Sequence, residues 1–321
     1  MMGRRAIQEA SSGLTLAQAF ESYLTDPTIS RTQKSDIVYR STFTTIADIL
    51  GPERLLSAVS REACRDVLSV LQKLPPNARK RWPGRPPRDV AGEAQERGVP
   101  GMSTANVNEY MTKLSSMLNW AVKEELLARN PARGLRIMDP VRARDKRLPF
   151  ALWQLQRIFS APLYVGDEAG YALPGPNRPR RARFWLPLLA LMLGARLGEL
   201  TQALTSDVQE IDGILCLIIS ASSGDGKRLK SDASHRLVPI HPELLRIGFA
   251  LYVGDRRRAK DVRLFPDLTV DSLGLYSGKF SKWFARFLRT CDATSERTCF
   301  HAFRHTFRDG LREGKIDRDV G

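Results

Sequence analysis

The chain has 321 residues, with 50 lysines and arginines against 35 aspartates and glutamates, a formal net charge of +15. That length accommodates about two domains, each able to bury its own core. With 42% hydrophobic residues and a mean hydropathy of −0.29, the composition excludes wholesale disorder and a protein built on membrane spans. The most apolar run, Phe184 to Leu193, is ten residues long and carries Pro187, well short of the roughly 18 that a span needs. The start, Met1-Met2-Gly3-Arg4-Arg5, is basic with no apolar run behind it, so no secretory signal is expected. The four cysteines, Cys64, Cys216, Cys291 and Cys299, form no C-x-x-C pair, and there are only four histidines. A Cys/His metal site is therefore not expected, and reduced thiols in a cytoplasmic protein are. A sequence pI near 10.0 calls for an anionic partner.

The first 130 residues read as helices. Leu16, Ala19, Phe20, Tyr23 and Leu24 recur at helical spacing behind Thr15, with Gln18 placed to complete a capping box. A second helix is expected from about Thr32 to Leu50, stopped by Gly51-Pro52. Ser60 caps a third through Val67, Leu68 and Leu71, and Ser103 a fourth through Val107, Met111, Leu114, Met117, Leu118 and Ala121, ending at Asn130-Pro131. Between them, Pro75 to Gly101 is rich in Pro, Gly and Arg and reads as a loop. Lys73, Arg79, Lys80, Arg81, Arg85 and Arg88 meet no acidic residue between positions 73 and 88, which suits either a loop that tracks a phosphate backbone or a solvated surface.

Arg129 to Arg147 carries seven basic and two acidic residues and little apolar periodicity. Residues 131–147 read as a basic interdomain linker, and Arg133, Arg136, Arg142 and Arg144 are candidates for phosphate contacts. The second domain is expected from Leu148 onward. It opens with a short helix around Trp153, Ile158 and Phe159, followed by a Pro/Gly-rich loop over Gly166–Arg183. The apolar helix Phe184–Leu193 then breaks at Gly194, and a second short helix runs over Leu197–Leu204. Here the pattern changes. Val208 and Ile214–Ile219 read as strands joined by Asp212-Gly213, and Leu237–Ile240 as another, with Pro239 at an edge or end. Helices resume over Pro242–Tyr252, Gly278–Leu288 and from His301 to about Glu313.

Three basic clusters are candidates for chemistry. Arg196 lies in the break between two apolar helical segments, where a guanidinium fork can reach two oxygens of one phosphate. Glu199, three residues on, offers the alternative of a local ion pair. Lys227 and Lys230 precede Ser234-His235-Arg236-Leu237-Val238-Pro239-Ile240 in a turn between strands, placed either to dip into a groove or to keep the tip soluble. On a helix, His301 shares a face with Arg304 and with His305, while Phe303 and Phe307 take the buried side. No acidic residue lies between the two histidines, so a joint polar use on one phosphate is expected rather than a zincin-type metal site.

In this order the clusters resemble the tyrosine recombinases, the phage integrase family. Gly194-Ala195-Arg196-Leu197-Gly198-Glu199-Leu200 is similar to the family's first arginine box. Lys230 with Arg236–Ile240 is similar to its hairpin lysine region, and His301-Ala302-Phe303-Arg304-His305 to its second arginine box. The resemblance covers residues 148–321. It implies a mainly α core-binding domain followed by a mixed α+β catalytic domain, closing on DNA as a C-shaped clamp. It also implies site-specific cutting and rejoining of duplex DNA through a 3′-phosphotyrosyl intermediate, without metal or nucleotide cofactor, by a tetramer on DNA in the cytoplasm and nucleoid. Arg196 and Arg304 would clamp the non-bridging oxygens. Lys230, with Lys227 as the alternative, would protonate the leaving 5′ oxygen. His301 would assist proton transfer or orient an oxygen, with His305 in packing. The sequence departs from the family after His305, where no tyrosine follows. The expectation is an active enzyme cut short of its nucleophile, which binds DNA without cleaving it. A DNA-binding or regulatory protein without chemistry is the alternative.

Overall fold

The computed structural model describes residues 13–139, 141, 147–165, 181–220 and 235–316. The chain forms two compact units, Met1–Val141 and Arg142–Gly321.

The first unit is helical: α1 (Leu16–Thr25), α2 (Gln33–Leu50), α3 (Arg61–Lys73), α4 (Ala78–Arg81), α5 (Pro87–Glu96) and α6 (Thr104–Lys123). Its helix starts follow from side-chain caps. Thr15 Oγ1 accepts the Gln18 amide at 3.2 Å, and Gln18 Oε1 accepts the Thr15 amide at 2.9 Å. Thr32, Ser60 and Ser103 cap α2, α3 and α6 in the same sense. The helical apolar stripe of α6, from Val107 to Ala121, is buried against Leu16, Phe20, Phe43, Val67 and Leu71. Phe20 and Phe43 stack with ring centroids 4.2 Å apart.

The reading of Pro75–Gly101 as a loop is corrected by α4 and α5. Pro87 sits at the first turn of α5, where its missing N–H costs nothing, and Val90, Ala91 and Ala94 form a small buried face. The density of Pro and Arg obscured that face. The arginines there are not left to solvent either. Arg79 meets Asp48 of α2 at 3.2 Å, while Arg88 reaches Asp66 of α3 and Arg85 reaches Glu93 of α5. Their acidic partners lie outside positions 73–88.

Residues 130–137 also belong to this unit rather than to a free connection. Asn108 of α6 brackets Ile137 through Nδ2 to its carbonyl (2.9 Å) and Oδ1 from its amide (2.8 Å). Arg61 donates to the carbonyls of Pro131 and Arg133, and Ala132 is buried. Arg133 and Arg136 are exposed on this segment, whereas Arg142 and Arg144 lie outside the described residues.

The second unit contains α7 (Leu152–Phe159), α8 (Pro162–Val165), α9 (Ala182–Leu193), α10 (Leu197–Thr201), a three-stranded sheet, α11 (Pro242–Arg246), α12 (Phe249–Arg258), α13 (Ser277–Thr290) and α14 (Ala302–Glu313). The strands β1 (Val208–Ile211), β2 (Ile214–Ile219) and β3 (Arg236–Pro239) lie in the order β1-β2-β3, antiparallel throughout. Asp212 and Gly213 join β1 to β2 with φ of 51° and 76°, the two-residue turn whose twist matches the strands. Pro239 ends the edge strand β3. The helix expected over Pro242–Tyr252 is instead two, because the chain turns at Ile247-Gly248.

The apolar run Phe184–Leu193 is the central helix α9, buried on most sides. An aromatic cluster locks α13 and α14 to the rest: Phe303 is fully buried, with Phe150 4.7 Å, Phe300 5.4 Å and Phe284 5.5 Å away between centroids. Gly194 ends α9 in the left-handed region at φ 60°, and a Cβ there would fall 2.2 Å from Cδ1 of Phe307 on α14. The bare glycine thus permits α14 to close on the end of α9.

Gly194→Ala combines a left-handed alanine with that overlap, so a loss of about 2 kcal/mol or more is expected in chemical denaturation. Adding Phe307→Ala is expected to relieve part of the overlap, giving a double variant less destabilised than the sum of the singles.

Candidate phosphate-binding site

The turn after α9 sets up the site. Ala195 is buried and Arg196 has extended backbone at the cap position of α10. Glu199, in the first turn of α10, reaches back: its Oε2 accepts the Arg196 amide at 2.8 Å and its Oε1 accepts Arg196 Nη1 at 2.7 Å. The ion pair that the sequence left open is therefore formed. Arg196 nevertheless keeps 38% of its side chain exposed, against 5% for Glu199.

A third member comes from the sheet. Arg236, the first residue of β3, donates through Nη2 to Glu199 Oε2 at 2.8 Å and through Nη1 to Oε1 at 3.4 Å. Burial alone would push the Glu199 carboxyl up. The hydrogen bond from Arg236, followed by those from the Arg196 amide and guanidinium, pulls it below the usual carboxylate range. Glu199 is thus ionised at neutral pH, and two guanidinium groups converge on one carboxylate.

The helix α14 supplies the rest. Arg304 Nη1 donates to the carbonyl of Gly194, which ties α14 to the same turn. Burial, and then the charges of Arg196 and Arg236, push the Arg304 guanidinium pKa down, only partly offset by Glu199. His301 and His305 meet edge to face with centroids 5.0 Å apart. Burial first, and then the charges of His305, Arg147, Arg304 and Arg196, push His301 down to about 4. His305 is also lowered, by burial and by Arg308 and Arg147, and its Nε2 is buried without a hydrogen-bond partner among the described residues. Beside this group lies a cavity of about 210 Å³ lined by Arg147, Ala195, Ser281, Cys299 and His301.

The electrostatics are lopsided. Arg196, Arg236 and Arg304 act on one another and share Glu199, the acidic group that opposes them. Such a surplus of desolvated positive charge is relieved by an anion, and planar guanidinium groups suit the oxygens of a phosphate. A neutral His301 beside them can accept or share a proton.

Arg196 and Glu199 from the first arginine-bearing segment are therefore brought together with His301, Arg304 and His305 from the second. Lys227 and Lys230 lie outside the described residues. Lys73, Arg79, Lys80, Arg81, Arg133 and Arg136 belong to the first unit. Of these, Arg79 is paired with Asp48, and Arg81 lies over the Trp82 ring at 4.5 Å from its centroid. Lys73, Lys80, Arg133 and Arg136 are exposed. Arg236 and Arg147 were not singled out for the site from sequence. The signal for Arg236 was its position opening the Arg-x-Val-Pro strand. Arg147 was submerged in a run of like residues. Among the described residues no group of three His, Cys, Asp or Glu side chains is placed to hold a metal ion, and no helix is long and apolar enough to cross a membrane.

At the level of sequence no family model matches the chain, and no curated protein does. The structure finds clear neighbours. The Tn1549 transposon integrase, in complex with a circular intermediate DNA, matches with a TM-score of 0.63 over 96% of this chain and 89% of its own, at 14% identity. The chain shares the integrase fold. The lambda integrase tetramer bound to a Holliday junction matches at 0.62 over 97% and 77% of the two chains, with 18% identity. A lambda integrase dimer bound to a COC′ core site matches at 0.59 over 96% and 93%, again at 18% identity. The matches span nearly all of this chain, and so take in both its helical first unit and its helix-rich second unit with the small antiparallel sheet.

The depressed His301 pKa has a thermodynamic consequence. From its ordinary value of 6.5 down to about 4, the unfolded chain binds a proton at His301 that the folded chain does not. Stability is therefore full above pH 6.5 and falls as the pH drops toward 4. Urea denaturation at pH 7 and pH 5 is expected to show this loss, and His301→Asn, which cannot charge, is expected to reduce it.

Proposed function

We propose that this chain is a DNA-binding member of the tyrosine recombinases, seating one backbone phosphate of duplex DNA between Arg196, Arg304 and His301. The observation that carries the reading is the surplus of guanidinium charge around Glu199, built on the turn after α9 and on α14. The shared fold supports it, since the neighbouring integrases are described in complex with DNA.

In the reaction we assign to the family site, a tyrosine hydroxyl attacks the phosphorus, forming a 3′-phosphotyrosyl bond and releasing a 5′ hydroxyl. Arg196 and Arg304 neutralise the non-bridging oxygens, where charge grows in the pentavalent transition state. His301, neutral at pH 7, holds or takes up a proton beside them. A bound phosphate opposes the arginines that depress His301, so binding raises its pKa. Lys230, with Lys227 as the alternative, donates to the leaving oxygen. Exposed Lys73, Lys80, Arg133 and Arg136 add contacts to the backbone without reading bases. Paired recombination sites call for several copies of the protein, in the cytoplasm on nucleoid DNA.

No tyrosine follows His305 in the sequence. The described tyrosines of the second unit are otherwise engaged. Tyr252 donates to the Leu264 carbonyl at 2.7 Å, Tyr164 to the Phe184 carbonyl at 3.4 Å, and the Tyr276 ring lies under Arg263. Burial raises the hydroxyl pKa of both Tyr164 and Tyr252. This chain is therefore proposed to bind DNA without cleaving it.

Fluorescence anisotropy with a labelled duplex tests the assignment. Binding is expected to weaken steeply with salt, and Arg304→Ala is expected to lower the magnitude of the log–log slope by about one, since one phosphate contact contributes about 0.9. A slope indifferent to Arg304 and Arg196 would count against the phosphate seat. A nicked suicide duplex is expected to give no covalent adduct with this chain, and an adduct would overturn the binding-only reading.

A further inference from the structure

We infer that Arg236 is a positioning residue for Arg196, acting through Glu199, so that the phosphate seat is competent only when β3 is in place. This rests on the phosphate-binding reading above and extends it to a residue that contacts no phosphate in that reading.

Glu199 is a buried carboxylate whose two oxygens are each shared. Oε1 takes Arg196 Nη1 at 2.7 Å and Arg236 Nη1 at 3.4 Å, and Oε2 takes the Arg196 amide at 2.8 Å and Arg236 Nη2 at 2.8 Å. A carboxylate facing Arg196 alone would neutralise it and draw its guanidinium inward. With Arg236 forked onto the same carboxylate, one negative charge is divided between two cations. Arg196 is then held in direction by Glu199 yet retains charge for an incoming anion. The exposures agree, with 38% of the Arg196 side chain open against 29% for Arg236 and 5% for Glu199.

Arg236 pairs with Ile219 at the end of the β2–β3 ladder. In sequence it closes the connection that carries Lys227 and Lys230. The Arg236–Glu199 fork is therefore a link between the strand leaving that connection and the turn that presents Arg196. Registration of β3 on β2 and orientation of Arg196 become one event. Arg236 at the strand start does this through a planar fork that a lysine ammonium cannot reproduce.

A double-mutant cycle on the whole chain tests the inference, read as affinity for a fixed labelled duplex at fixed salt. The variants are Arg236→Met, Arg196→Ala and the pair. Arg236→Met is expected to weaken binding by about tenfold, as loss of a charge-assisted hydrogen bond would. In the Arg196→Ala background the same change is expected to have no further effect, because its action passes through Arg196. Arg236→Lys, which keeps the charge and loses the fork, is expected to behave like Arg236→Met rather than like the parent. Multiplying effects of the two substitutions, or full rescue by Arg236→Lys, would overturn the inference and make Arg236 a contributor of charge alone. A parent-like affinity for Arg236→Met in a folded protein would overturn it too. Failure of the underlying reading is separate: there, Arg196→Ala itself leaves the affinity unchanged. If Arg236→Met does not fold, Arg236→Lys and Arg236→Gln carry the cycle.

Discussion

The buried carboxylate of Glu199 is the constraint on which the second unit's charged surface depends. A carboxylate with 5% of its side chain exposed is costly unless it is paired and hydrogen-bonded. Glu199 meets that requirement with the amide and guanidinium of Arg196 and the fork of Arg236. In doing so it draws together the turn after α9 and the first residue of β3. The third element, α14, joins through Arg304 on the Gly194 carbonyl and through Phe307 packed where Gly194 has no side chain. The cluster is thus the meeting point of helix, sheet and C-terminal helix. Its cationic surplus follows, among the described residues, from Arg196 and Arg236 sharing the single carboxylate of Glu199 beside Arg304.

That surplus also sets the state of the histidines. His301 is held neutral by burial and by the positive charges around it, and like charges gathered in this way are unfavourable unless opposed by a negative one. The proposed seat for phosphate, the neutral state of His301 and the fold's sensitivity to acid all follow from the same arrangement. The cost of gathering like charges is carried by the aromatic cluster beneath, where Phe150, Phe284, Phe300 and Phe303 fix α14 from the buried side.

Much of this was legible from residues alone. The caps at Thr15, Thr32, Ser60 and Ser103, the helical stripe from Val107 to Ala121 and the turn at Asp212-Gly213 are local signals, and local physics answers them. Arg196, Glu199, His301 and Arg304 were legible because short motifs carry their spacing. What escaped was non-local. The helices α4 and α5 were hidden because their buried faces are small, being mostly alanine, and their arginines find acids on α2, α3 and α5 itself. The docking of residues 130–137 depends on Asn108 and Arg61, neither adjacent in sequence. Arg236 escaped as a site residue because its partner lies 37 positions away.

The most direct test of the central claim is to soak crystals of this chain in tungstate, a phosphate-like oxyanion, and locate it by anomalous scattering. The account predicts density within hydrogen-bonding distance of the Arg196 and Arg304 guanidinium groups, lost in crystals of Arg304→Ala. Tungstate held only by exposed arginines elsewhere, with the cluster around Glu199 empty, would contradict it.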